Sequence, residues 1–170
     1  TTSGQASGEL TGMKIAYVEI DTLLAQYNFC IDLNEGMVKK SENVRLTLNQ
    51  KARELDKQKQ DFQTKYQNNA YLSPERAQQE YNRIAKLEQD LQTLSNKLQS
   101  ELMSENEKNS LQLRDSINAF LKEYNKTKGY SMIISNTGFD NLLYADSIYN
   151  ITKEIVEGLN ARYSSPAPKK

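Results

Sequence analysis

LNEGMVKKSENVRLTLNQKARELDKQKQDFQTKYQNNAYL (residues 33–72) is followed directly by SPERAQQEYNRIAKLEQDLQTLSNKLQSELMSENEKNSLQLRDSINAFLKEYNKTK (residues 73–128). Apart from Pro74 near the start of the second, neither stretch contains proline, and both are rich in Gln, Glu, Lys, Arg and Leu. These side chains lose little rotamer freedom in a helix, and β-branched residues are few, so two long helices are expected. In the second stretch Ile84, Leu87, Leu91, Leu94 and Leu98 follow one another at steps of 3 and 4, the seam of a left-handed coiled coil. In the first, Leu48, Ala52, Leu55, Lys59, Phe62 and Tyr66 repeat at 4 and 3, with Lys59 breaking the apolar run. An apolar stripe this narrow covers one partner helix and builds no globular core, so the two helices are expected to pair as a hairpin whose outer faces meet water.

The ends of the hairpin are written in its turn residues. Asn68 and Asn69 suit a helix stop, and Ser73, Pro74 and Glu75 supply an N-cap, a first-turn proline and a carboxylate at the positive helix end. The turn therefore falls near residue 72, and residue i of one arm faces about 144 minus i of the other. Lys126 and Lys128 in a last turn before Gly129 end the return helix. The mirror rule brings Gly129 back beside residue 15.

What flanks the hairpin is short and apolar. MKIAYVEI (13–20) reads as a strand, with both faces apolar enough for burial. Asp21 is placed to cap a short helix carrying Leu23, Leu24 and Tyr27, and Asp32 with Glu35 has the spacing of a capping box that restarts the helix after a joint at 28–31. Beyond Gly129, YSMIIS (130–135), NTGFDN and LLYA (142–145) have the pattern of a strand pair, and Asn150 is placed to cap a last helix with Ile151, Ile155, Val156, Leu159 and Tyr163 on one face. The fold class expected is α+β, mainly helical, with the antiparallel hairpin inserted between strands one and two of a small base. The base comprises 13–31 and 129–163, the arm 32–128, and 1–12 and 164–170 read as a disordered leader and tail. A base of about 54 residues is marginal as a single core, and its strands have open edges, so association of copies through the base is expected.

Composition excludes more than it assigns. The 170 residues carry 22 basic and 22 acidic side chains, which does not mark a nucleic-acid binder. Residues 39–128 hold 17 basic against 13 acidic, a mild excess of four. No histidine is present, and Cys30 stands alone, so neither an intrachain disulfide nor a multi-cysteine metal site can form. Cys30 reads as a small buried hydrophobe, with a reactive thiol or interchain bridge as the alternative. No P-loop, HExxH, CxxC or nucleophile elbow occurs. Glu101, Glu105 and Glu107 read as a solvated helix face. The expectation is a protein that is not an enzyme and uses no cofactor or metal. No apolar run reaches the length of a membrane span, although the polar leader is compatible with a tether following an upstream export signal or lipid anchor.

Two features on the arm point to work of another kind. Phe62, Tyr66, Tyr71, Leu72 and Tyr81 gather near the tip, where little core exists to bury them. Amphipathic rings in that position either grip another chain or lock the turn by packing on each other. Between Leu98 and Leu113 the heptad gives way to Leu102 and an 11-residue step across SENEKNS (104–110), opposite Gly36. Gly36, Ser104 and Ser110 are the hinge candidates this defines, with an ordinary solvated coil as the alternative. Lys39, Lys40, Arg45, Lys51, Arg53, Lys57 and Lys59 form a basic run nearer the base, read as a solvated face or a surface that steers acidic partners.

KIAYVEIDTLLAQY (14–27), the charged hairpin and GYSMIISNTGFDNLLYADSIYNITKEIVEGLN (129–160) together resemble the Skp/OmpH family of periplasmic outer-membrane-protein chaperones. The resemblance implies a homotrimer whose bases join in a small intersubunit β-barrel and whose arms enclose a cavity, in the periplasm of a Gram-negative bacterium. Unfolded outer-membrane proteins are held there without ATP. By position, Ile15, Ala16, Val18, Met132, Ile133, Ile134, Leu142 and Leu143 fall in the barrel, and Ile151, Ile155 and Leu159 in the helix that closes it. The modest arm charge shifts weight from electrostatic capture to contact through the tip rings. The competing reading is a structural coiled-coil adaptor for one folded partner, which requires one continuous apolar patch where a cage requires scattered ones.

Overall fold

The computed structural model describes residues 12–163, so the leader, Gly12 excepted, and the tail lie outside the described residues. In chain order it contains strand β1 (Ile15–Glu19), helices α1 (Ile20–Gln26), α2 (Asn28–Gln67) and α3 (Pro74–Lys128), strand β2 (Met132–Asn136), a 3-10 turn at Ser147–Tyr149, and helix α4 (Thr152–Arg162). Two compact units emerge: 12–34 with 110–163, called here the base, and 35–109, the arm. The base therefore takes in the roots of both long helices, more helix than the expected 13–31 and 129–163.

In the base, β1 and β2 pair in parallel, Ile15 opposite Met132 through Glu19 opposite Asn136. The mirror rule is borne out here: Ser131 N–H donates to Lys14 O at 2.7 Å, and the Lys14 ammonium donates to Lys128 O at 2.6 Å. Parallel neighbours need a long crossover, which is what α1, α2 and α3 supply in sequence. On its other edge β1 meets one residue, Tyr17 bridging Asn150, so β1 is central and the far edge of β2 is open. Ala16, Val18, Leu23, Tyr27, Cys30, Phe120, Ile151, Ile155, Val156 and Leu159 form the core. Cys30 is buried as expected, and desolvation pushes its thiol up, opposed by a hydrogen bond from Asn34.

Several local expectations shift. Helix α1 starts at Ile20, with Glu19 at the cap position and no side-chain cap, so Asp21 lies in the first turn. Only Tyr27 separates α1 from α2, which begins at Asn28, and no capping box forms at Asp32. Tertiary contacts replace it: Asn160 Oδ1 accepts from Asn28 N–H at 2.8 Å, its amide donates to Gln26 O at 3.0 Å, and Tyr163 Oη donates to Asp32 at 2.8 Å. LLYA makes no strand within the chain. Asn136, buried, accepts from Leu142 N–H, and Asn141 donates to Ser135 O. The segment turns away from β2 instead of folding back along it. Asn150 lies one residue before the cap position, yet its side-chain Oδ1 accepts from Thr152 N–H and from Thr152 Oγ1–H and so satisfies the helix start.

The arm helices have few buried side chains, Leu55, Ala77, Ile84 and Asn109, with the other seam leucines half-buried. At the turn Asn69 takes φ 51°, and Ala70 N–H closes on Lys65 O at 2.9 Å, a left-handed helix stop. Ser73 Oγ accepts from Arg76 N–H at 3.3 Å, the predicted N-cap ahead of Pro74.

Candidate functional site

Three places carry the residues singled out in the sequence. The first is the tip. Phe62 sits at its centre, with ring centroids 5.9 Å from Tyr66, 5.6 Å from Tyr71 and 6.1 Å from Tyr81. The rings do pack on each other, and they remain open to contact: Tyr66 is 63 % exposed, Tyr81 57 % and Leu72 91 %. Burial, then the nearby Glu80 charge, holds the Tyr71 phenol neutral by pushing its pKa up. Glu80 is itself held ionised by its hydrogen bond from Arg83. The cluster thus presents apolar ring faces with hydroxyl edges, framed by one ion pair.

The second is the stretch between Leu98 and Leu113. Counting apolar letters gives an 11-residue step, but the seam continues through half-buried Glu105 and buried Asn109, so 98, 102, 105, 109 and 113 keep near-heptad steps. Glu105 is tolerated there because Lys40 reaches it at 2.7 Å, which also lowers its pKa. Lys59 is explained the same way, by Glu88 at 2.8 Å. A polar seam residue fixes register at some cost in stability. Sequence reading missed Asn109 because only apolar spacing was counted; a polar residue at a d-type position was the available signal. Both long helices run unbroken through Gly36, Ser104 and Ser110, while the division between arm and base falls after Asn34 and after Asn109.

The third is the base. Of the eight residues assigned to the barrel, Ala16 and Val18 are 1 % and 4 % exposed, used up inside the chain's own core. Ile15, Ile133, Ile134 and Leu142 are half-buried, and Met132 and Leu143 are exposed. The segment after β2 is the most exposed apolar stretch, with Phe139, Leu143 and Tyr144 each 84–85 % exposed and Ile148 75 %. Helix α4 closes the base with Ile151, Ile155 and Leu159 buried as expected. It packs so closely that a Cβ on Gly158 would lie 2.3 Å from Phe120 Cζ. Lys128 pairs with Glu154 at 2.8 Å beside the buried Tyr124 hydroxyl. Burial first, then hydrogen bonding to Glu154 and its charge, push that phenol up. Among the described residues no three His, Cys, Asp or Glu side chains converge as metal ligands, and no helix is long and apolar enough to cross a membrane.

A parallel two-stranded base closed by a short helix, with a coiled-coil hairpin between its strands in sequence, defines a hairpin-inserted class of α+β proteins. Residues 14–159 match the family described as outer membrane protein (OmpH-like), and the chain belongs to that family. No curated protein sequence matches it. Among solved structures it is similar to one described as an outer membrane chaperone (OmpH-like) from Caulobacter crescentus CB15. The TM-score is 0.78 over 95 % of this chain and 92 % of that one, at 12 % identity. Likeness at that identity carries the fold.

Proposed function

We propose that this protein is an ATP-independent holdase of the periplasm that keeps unfolded outer-membrane proteins from aggregating, held between the arms of a homotrimer joined through its bases. The observation that carries this reading is the pattern of exposure on the arm. Val38, Leu46 and Met103 toward the lower end of the arm, and Tyr66, Leu72 and Tyr81 at its tip, are all more than half exposed, in separate groups and not in one stripe. Many separate weak contacts at high effective concentration hold a chain while each exchanges quickly. Preference for the unfolded over the folded client is enough to shift the equilibrium by mass action, so no nucleotide is required. An adaptor for one folded partner calls for one continuous patch, and the separation of the exposed groups weighs against it.

Phe62, Tyr66, Tyr71, Leu72 and Tyr81 are the client contacts in this reading. Ile15, Met132, Ile133, Ile134, Leu142 and Leu143 face neighbouring copies, with Ala16 and Val18 supporting them from within. Gly36, Ser104 and Ser110 let the arms adjust to clients of different size, a role supported by the division between compact units at the same level of the helices. Uniformly slow hydrogen exchange across 104–110 removes that role. The test of the whole reading is light scattering from an unfolded β-barrel protein diluted out of denaturant. Scattering is suppressed at stoichiometric trimer and returns when Tyr66, Leu72 and Tyr81 are replaced together by serine; aggregation unchanged by excess wild-type chain rejects the reading.

A further inference from the structure

Residues 39–128 carry an excess of four basic side chains, but much of that excess does not belong to the arm. Arg114, Lys122, Lys126 and Lys128 fall in the base unit. The arm itself, residues 35–109, holds 13 basic side chains against 12 acidic. Several of these charges are engaged with one another. Lys40 with Glu105 and Lys59 with Glu88 pair between the two arm helices, and Arg45 with Glu42 and Arg83 with Glu80 pair one turn apart.

The balance holds where the arm offers apolar groups. Between Phe62 and Tyr81 lie Lys65 and Arg76 against Glu75 and Glu80, so Tyr66, Leu72 and Tyr81 are exposed among charges that cancel. Lower on the arm, a hollow of about 490 Å³ is lined by Val44, Leu98 and Leu102 together with two lysines and two glutamates. Charge steers a partner only where one sign dominates a surface, and its reach is about 10 Å at 0.1 M salt. A surface on which the two signs are mixed neither draws an acidic chain nor repels a basic one. Removing aromatic and aliphatic groups from water is favourable whatever the charge of the chain that carries them. We propose that the arm selects unfolded chains by their aromatic and aliphatic side chains and not by their net charge, at the tip rings and at the hollow lined by Val44, Leu98 and Leu102. The class of client is therefore wider than acidic chains: a neutral or basic unfolded chain of the same apolar content is held equally well.

This deepens the holdase reading and rests on it. The test uses the full chain and two probes: a β-barrel protein unfolded in urea, and the same protein with its Asp and Glu replaced by Asn and Gln. Binding is followed by fluorescence anisotropy, with circular dichroism confirming the helicity of each variant. The two Kd values agree within about twofold, and neither weakens further between about 0.1 M and 1 M salt, where the screening length falls from about 10 Å to about 3 Å. K39E with R53E and K57E reverses cations of α2 that have no ion-pair partner among the described residues, and it leaves both Kd values within the same margin of about twofold. Y66S with L72S and Y81S, and separately V44Q with L102Q, weaken both probes alike, by about tenfold for the tip. A charge-stripped client held about tenfold more weakly, a loss of that size in high salt, or a loss of that size on reversing the three cations overturns the proposal and leaves the holdase reading standing. Tip and hollow variants that spare one of the probes overturn it as well. Binding of neither probe overturns the holdase reading, and this inference with it.

Discussion

The base and the arm are built from the same two long helices, yet they hold together in different ways. In the base, α4 and β1 bury a cluster in which Leu23, Tyr27, Ile155 and Leu159 are fully enclosed. In the arm only Leu55, Ala77 and Ile84 are buried among apolar residues, and much of the remaining support is ion pairs and half-buried seam leucines. A base substitution therefore removes contacts from several elements at once, whereas an arm substitution acts over a turn or two.

The sharpest way to break that contrast is at Ile155, which is fully buried. Ile155→Ala costs about 3 kcal/mol through lost transfer energy and a cavity, read as a lowered urea midpoint of the base. Ile84→Ala in the arm costs less, because a two-helix seam relaxes around the gap; equal losses at the two sites erase the distinction. Gly158→Ala comes next. Its new methyl must displace the Phe120 ring, and about 1–3 kcal/mol of overpacking cost is expected, seen as a drop in Tm without loss of arm helicity.

Tyr163 sharpens the comparison through pH. Burial first, then the hydrogen bond to Asp32, raises its phenol from the ordinary value of 10 to about 12. The neutral form is favoured in the folded state. Its contribution is therefore complete below pH 10 and is lost as the pH rises toward 12. Wild type loses base stability across that window, and Tyr163→Phe, measured by urea titration at each pH, flattens the part due to this group. The smallest effect belongs to the arm surface. Lys59→Ala removes an exposed pair with Glu88 and is expected to cost below about 1 kcal/mol, with the residue falling further as salt rises.

Much of this architecture was legible before any coordinates. Proline-free runs, Asn69 and Gly129 at left-handed stops and Ser73 ahead of Pro74 all report on backbone chemistry within a few residues, and spacing along the chain is enough to read them. The mirror rule worked because two rigid helices of fixed rise transmit a turn position over their whole length. Where spacing was read through apolar letters alone it failed. Asn109 and Glu105 occupy the seam, and no apolar count finds a polar side chain whose partner comes from the other helix.

At the candidate sites the division is similar. The tip residues were found from a surplus of Tyr in a stretch with no core, and ring packing around Phe62 emerged only when the turn was closed. LLYA has the letters of a strand, but Asn136 and Asn141 hold it off β2, so it makes no strand within the chain. By itself the sequence determined helices, stops and the insertion of a hairpin between two strands, because those depend on residues near one another. Tertiary structure decided that α2 starts at Asn28 under the grip of Asn160 and Tyr163. It also decided that Ala16 and Val18 turn inward and that Phe139, Leu143 and Tyr144 turn outward. Each of these is a competition among distant groups for the same partner, and only the folded chain resolves it.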